Sequence, residues 1–279
     1  IPMTIQVESF SDRLRTYNCQ IAHHNTFTPL LTGICLSGTA TMAGELPPEN
    51  TLQYKVKIGI KGYSPVILEN FSSSNNLQDY VSDSVGALNI LMNNPYDRPQ
   101  ITSLDFEVKI EPRNSISHLW NFQVSQTNVK PGQIIEAQIT LETFLSSNKT
   151  YNTEITIPHD IPAGEYTLTA GGIEQYMMFV VMNAPFKFTP ENLPHLIKII
   201  NEVGNKKRNS LYLTLELPPS GIAIESSQLP NLPVTKSLLL KNSKRAVSAR
   251  PDAQWIERII PTDTVVLDSK SITITVKKD

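Results

Sequence analysis

The side chains able to do chemistry are few and scattered. The five histidines are His23, His24, His118, His159 and His195, and the two cysteines are Cys19 and Cys35. His23 and His24 are neighbours in "YNCQIAHH", which reads as a strand, so they project to opposite faces and cannot share one metal ion. Neither H-E-x-x-H nor C-x-x-C occurs, so the spacing of a zinc site is missing. His159 precedes Asp160 in "IPHDIPAG". Such a pair is half of a triad, but the stretch reads more simply as a solvated turn whose Asp bonds its own backbone. His195 opens a helix and is expected at the surface. A serine nucleophile needs a tight G-x-S-x-G turn and two N–H donors as an oxyanion hole. The nearest stretch is "GYSPV" around Ser64, where Pro65 replaces the required turn. Phosphate loops and dinucleotide fingerprints are missing. The carboxylate pairs Glu8 with Asp12 and Asp79 with Asp83 read as solvated, which gives no ground for a glycosidase pair. No catalytic, cofactor-binding or metal-ligating residue is assigned, and no cofactor is expected.

The binding signals are equally plain. "KKR" at Lys206–Arg208 and the group Lys241, Lys244, Arg245 and Arg250 carry no interleaved aromatics, as a single-stranded nucleic acid would require, and read as exposed loops. Trp120, Trp255, Phe122 and Tyr166 fall on strands and read as core anchors rather than a sugar-stacking platform. Cys19 and Cys35 read first as small buried hydrophobes, with a Cys19–Cys35 bridge as the second reading.

The elements that must position these groups follow from periodicity. In the first segment, "MTIQVES" and "RLRTYNCQIAHH" form a hairpin around Phe10–Asp12. "TFTPLLTGICLSGTATMAG" reads as a helix capped by Thr28, with Pro29 in its first turn and Leu30, Leu31, Ile34, Cys35 and Met42 inward. "TLQYKVKIGI" alternates, with Leu52, Tyr54, Val56, Ile58 and Ile60 on one face. "NNLQDYVSDSVGALNILMNN" places Leu77, Val81, Val85, Leu88 and Met92 on one helical face. "ITSLDFEVKIEP" turns Leu104, Phe106, Val108 and Ile110 inward. From about 116 to 184 short strands, "EQYMMFVVM" among them, recur without a helical period. After 185, "LPHLIKIINEVG" reads as a helix with the stripe Leu193, Leu196, Ile197 and Ile200 and Gly204 at its C-cap. Alternating strands follow.

"NVKPGQIIEAQITLETF" (128–144) combines two signals. Pro131 and Gly132 fit a type II turn, and Ile135, Ala137, Ile139 and Leu141 then line one face of a strand, with Trp120 expected in the same core.

These elements imply a mainly β chain with α+β units: an α+β unit over 1–115, a central immunoglobulin-like β-sandwich over 116–184 and a smaller α+β unit over 185–279. The formal charge of −2 offers no global field for nucleic acid. No stretch reaches the roughly 18 apolar residues of a membrane span. The sequence opens in strand-like alternation without an initiator Met, as a fragment of a longer protein does. Asn70 and Asn148 stand in N-x-S/T sequons, which matter only in a eukaryotic secretory protein.

Three stretches, in order, resemble a known family. "IPMTIQV…YNCQIAHHNTFTPLL", "VSQTNVKPGQIIEAQITLETF…ITIPHDIPAGEYTLTAGG" and "LPHLIKIINEVGNKKRNSLYLTLELPPSGIAIESSQLPNLPVT" resemble the region C-terminal to the catalytic domain of SpoIVB-type serine peptidase-like proteins of bacterial cell envelopes. The resemblance implies a periplasmic or extracellular protein whose peptidase region lies elsewhere. The family's G-x-S-G-S-P nucleophile motif and its G-H-A-I-T-D-like site have no counterpart here, so no catalytic residue carries over. The expected role is non-catalytic, positioning the peptidase domain or binding a partner protein. A hydrolase with a dispersed His, Asp and Ser site, and a carbohydrate-binding module using Trp120 or Trp255, are the alternatives.

Overall fold

Alternation of apolar and polar residues makes strand the commonest element, with 47% of the described residues in strands and 25% in helices, so the fold is mainly β. The computed structural model describes residues 1–9, 14–42, 49–72, 78–143, 147–219, 222–224, 227–229, 249–251 and 253–277. The first elements are β1 (Pro2–Glu8), β2 (Leu14–Gln20), α1 (Phe27–Met42), β3 (Thr51–Ile60), β4 (Val66–Ser72), α2 (Gln78–Met92) and β5 (Ile101–Glu111). Next come β6 (Ile116–Val124), β7 (Asn128–Val129), β8 (Ile134–Thr143), β9 (Lys149–Thr156), β10 (Gly164–Gly171), α3 (Ile173–Asn183) and α4 (Leu193–Gly204). The last are β11 (Ser210–Leu217), β12 (Ile222–Ile224), β13 (Ser227–Leu229), β14 (Ala249–Pro251), β15 (Gln254–Pro261), β16 (Val265–Val266) and β17 (Ser269–Val276). The expected turn at 10–12, Leu77, and the basic residues Lys241, Lys244 and Arg245 lie outside the described residues, as does the side chain of Arg250.

The chain divides into two units, residues 1–116 with 190–209 and residues 117–189 with 210–279. The division differs from three consecutive segments for a physical reason. The apolar stripe of α4 is buried in the core of the first unit, whereas in the second β11 and β17 flank β10 and β15 pairs with β11.

In the first unit a five-stranded sheet has the order β2-β1-β5-β3-β4. β1 runs parallel to β5, and the other pairs are antiparallel. The inward residues of β3 and β5 are those their alternation predicts, all at most 5% exposed. They share one core with α1, α2 and α4.

The faces of two helices meet expectation in part: Leu31 and Cys35 of α1 and Val81, Leu88 and Met92 of α2 pack on the core as expected, and other positions do not. In α1 Thr28, Pro29, Thr32, Leu36 and Thr39 are buried, while Leu30, Ile34 and Met42 are exposed. Threonine can face inward here because its hydroxyl bonds the preceding turn: Thr32 Oγ1 donates to Thr28 O (2.7 Å) and Thr39 Oγ1 to Cys35 O (2.8 Å). In α2 Tyr80, Ser84, Leu88 and Leu91 face the core, and Val85 turns to α1, where its methyl lies 3.0 Å from a Cβ built on Gly33.

In the second unit, a four-stranded sheet β16-β6-β8-β9 and a five-stranded sheet β15-β11-β10-β17-β7 enclose one core. Ile135, Ala137, Ile139 and Leu141 of β8 and Phe122 of β6 belong to it. The short strands β12, β13 and β14 form a separate three-stranded sheet. "EQYMMFVVM" is not a strand. It lies in helix α3, where Ile173, Tyr176 and Val180 are buried at spacings of three and four, and Tyr176 stacks on Tyr212 of β11 (4.4 Å between centroids). Its β-branched and aromatic residues suggest a strand, but the period of burial decides for a helix.

Candidate functional site

Histidines and glycines resolve into structural roles. His24, not Thr28, caps α1: its Nδ1 accepts from Thr26 N (3.1 Å) and Phe27 N (3.3 Å). Thr28 Oγ1 instead donates back to Ala22 O (2.6 Å). His23 is exposed. His195 is half-buried and helps cap α4: its N–H bonds Asn192 Oδ1 (2.8 Å) and its Nδ1 accepts from Glu191 N (3.4 Å). The 130–133 turn forms as expected, with Gly132 at φ +80° and Gln133 N bonding Lys130 O (3.1 Å). His159 lies over that turn, its Cε1 only 2.3 Å from where a Cβ on Gly132 would sit. Gly204 is set by close approach, with Leu68 Cδ2 2.3 Å from a Cβ built there, and the C-cap is Asn205. Ser64 is exposed in the β3–β4 loop. Both cysteines are free thiols, and burial, then Cys35, raises Cys19 above its ordinary range, away from nucleophile chemistry.

The densest polar cluster is one that spacing concealed. Asp83 on α2, Tyr54 on β3 and Arg208 beyond α4 converge at the edge of the first core. Arg208 Nη1 donates to Tyr54 Oη (2.6 Å), Asp83 Oδ2 (3.0 Å) and Phe71 O (3.2 Å), and Nη2 donates to Asp83 Oδ1 (3.2 Å). Tyr54 Oη also donates to Asp83. The Arg208 and Asp83 side chains are 18% and 28% exposed, so neither Arg208 of "KKR" nor Asp83 is the solvated surface that the sequence suggests. Burial, then Asp83, pushes the Tyr54 hydroxyl far above its usual range, so it stays protonated and serves as a donor, not a base. Burial opposes the charge on Arg208, but Tyr54 and Asp83 outweigh it. The cluster is a lock between helix and sheet. Asn70, the first sequon, is tied into the same region: its Nδ2 donates to Lys206 O (2.8 Å) and its Oδ1 accepts from Arg208 N (2.9 Å).

The two edges of this sheet are treated differently. Along β4, Asn201 Oδ1 accepts from Ile67 N (2.7 Å), Asn205 Nδ2 donates to Ile67 O (2.6 Å) and Lys207 Nζ donates to Glu69 O (3.0 Å). Side chains thus stand in for a neighbouring strand. β2 at the opposite edge pairs only with β1 among the described residues. It carries Thr16, Asn18 and Gln20 on the sheet's polar side, opposite Gln6, Thr4 and Pro2.

The second unit presents the clearest departure from the sequence reading. Trp120, expected in the core, is 61% exposed. The ladder between β6 and β8 pairs Leu119 with Leu141 and Asn121 with Thr140, so Trp120 is the extra residue of a β-bulge that turns it outward. Lys270 Nζ donates to Trp120 O (2.5 Å), and His118 Nδ1 pairs with Asp268 Oδ2 (2.7 Å). That His–Asp pair is exposed, and no serine hydroxyl is hydrogen-bonded to the ring among the described residues. Trp255 is half-buried, edge-on to Phe179 (5.4 Å), with Lys187 Nζ over its ring (4.5 Å) and its Nε1 donating to Glu257 (3.2 Å). Tyr166 is half-buried, and its Oη donates to Pro162 O (2.8 Å). Among the described residues no group of three His, Cys, Asp or Glu side chains could hold a metal ion.

No family model, curated protein or solved structure matches the chain. Among the described residues, no helix is long and apolar enough to cross a membrane.

Proposed function

We propose that the chain is a non-catalytic interaction region of an exported SpoIVB-type serine peptidase-like protein of the cell envelope. It binds an extended protein segment, from the peptidase-like region or from a partner protein, as an added strand on β2. The carrying observation is the contrast between the sheet's two edges: β4 is covered by Asn201, Asn205 and Lys207, while β2 has no outer strand among the described residues. An unpaired edge presents a row of N–H and C=O groups at the spacing a new strand requires. Exposed apolar residues of the neighbouring helix α1, Phe27, Leu30 and Ile34, suit the apolar side of such a segment. The order of the three resembling stretches supports the parentage. We also read the second unit as an immunoglobulin-like sandwich whose second sheet is completed by β11, β15 and β17; the shared core of its two sheets supports this.

Two measurements test the reading. The gene sequence upstream of Ile1 is expected to encode a region with a G-x-S-G-S-P motif, and its absence removes the parentage. Photo-cross-linkers placed at Thr16 and Asn18 of the intact protein are expected to capture a protein segment, whereas cross-linkers at Lys55 and Lys57 in mid-sheet are not. Equal yields from both places would overturn β2 as the docking edge.

A further inference from the structure

The outward face of the four-stranded sheet in the second unit is built differently from an ordinary solvated surface. Register places three amides side by side across β6, β8 and β9: Gln123 opposite Gln138, and Gln138 opposite Asn152. Gln138 Nε2 donates to Asn152 Oδ1 (3.3 Å), which fixes the row. These residues and Glu136, Glu154 and Ser125 line an open groove of about 570 Å³. That volume falls within the range of small-ligand sites, roughly 300–1,000 Å³. Glu136 and Glu154 stand directly opposite each other, an arrangement that costs stability in a bare sheet. Three residues from Gln123 along β6, on the same face, the bulge presents Trp120, about 10 Å away at ~3.3 Å per residue. Thr140 and Thr150, paired at 3.3 Å, lie across β8 and β9 beside Asn121 in register.

We propose that this face binds a neutral, extended oligosaccharide. An indole face receives the apolar C–H side of a pyranose ring, while the ring's equatorial hydroxyls need donors and acceptors together. Carboxamides offer both in fixed directions, and carboxylates accept from hydroxyls. Trp120 is the stacking platform, and Gln123, Gln138 and Asn152, flanked by Glu136 and Glu154, read the hydroxyls of a ring further along. Lys270 holds the bulge that presents the indole. The two glutamates oppose a polyanionic glycan. This site is independent of the β2 edge and does not depend on the parentage proposed above.

The test is a titration of the intact chain with cellohexaose, chitohexaose and mannohexaose, followed by calorimetry and tryptophan emission. Trp255 is packed against Phe179, so a change in emission on binding reports chiefly on the exposed Trp120. At least one hexaose is expected to bind and shift the emission to the blue. Trp120→Ala is expected to weaken binding at least tenfold, Gln138→Ala at least threefold, and Trp255→Phe less than twofold. Far-UV circular dichroism checks that the variants keep their fold. Failure of all three hexaoses to bind at millimolar concentration overturns the proposal. So does undiminished binding by Trp120→Ala, or a face that binds a poly-lysine peptide but none of the sugars.

Discussion

Removing the Arg208 guanidinium tests whether the Tyr54–Asp83–Arg208 cluster is a lock. Arg208→Ala deletes four donor contacts, to Tyr54, Phe71 O and both oxygens of Asp83. It also leaves Asp83, 28% exposed, as a partly buried carboxylate without its cation. Breaking a fully buried pair from one side costs about 3–5 kcal/mol. Residual solvent at both partners lowers the expectation here to about 2–3 kcal/mol. For a unit of this size about 3–5 °C accompanies each kcal/mol, so the melting temperature of the first unit is expected to fall by ~10 °C. Both tryptophans lie in the second unit, so far-UV circular dichroism in urea and on heating is the suitable probe. The double variant Asp83→Leu/Arg208→Met removes both charges together. It is expected to be less destabilised than the sum of the single changes by at least ~1 kcal/mol, since neither charge is then stranded. A cost below about 0.5 kcal/mol for Arg208→Ala, or strict additivity in the double variant, would show that the cluster is only an exposed ion pair.

Two further outcomes follow from geometry described above. Gly132→Ala meets a backbone at φ +80° and the His159 ring at 2.3 Å, so a loss of roughly 1–3 kcal/mol is expected; a change below ~0.5 kcal/mol in urea unfolding refutes the close contact. Burial raises the hydroxyls of Tyr54 and Tyr80 above the ordinary tyrosine pKa of about 10, so the folded protein keeps protons that the unfolded chain releases. Stability from these groups is complete below pH 10 and declines as pH rises beyond it, and a flat urea midpoint between pH 9 and about 11.5 would contradict this.

Period-two alternation was enough to place the core faces of β3, β5 and β8, because each strand has one buried face and a slip of one residue would expose the whole set. The Pro131–Gly132 turn was legible because only glycine takes the required φ cheaply. The stripe of α4 was legible for a similar reason, since its apolar residues fall on one side. Where readings diverged, a non-local partner decided. Thr32 and Thr39 turn inward on α1 because their hydroxyls are satisfied by the helix itself. Trp120 leaves the core because one extra residue in β6 shifts the pleat, which β6 alone does not reveal. Arg208 and Asp83 are separated by 125 positions, so nothing local marks them as a pair. The division into units was hidden for the same reason: β10 finds its partners beyond residue 209. Of the candidate sugar face, the strands carrying Gln138 and Asn152 were legible, and the exposed indole beside them was not.

The covered edge of β4 has a consequence for biosynthesis. The strand ends at Ser72, but Asn201 and Asn205 are encoded 129 and 133 residues later. At about 5–20 residues per second, a nascent chain carries an uncovered β4 for roughly 6–27 s before its cover is made. During that time both edges of the sheet are open templates, and the intervening strands of the second unit emerge within reach of the same chain. Ribosome-bound intermediates ending between residues 120 and 190 are therefore the forms of this protein that most need a chaperone. A gene truncated there is expected to yield aggregate rather than a soluble half.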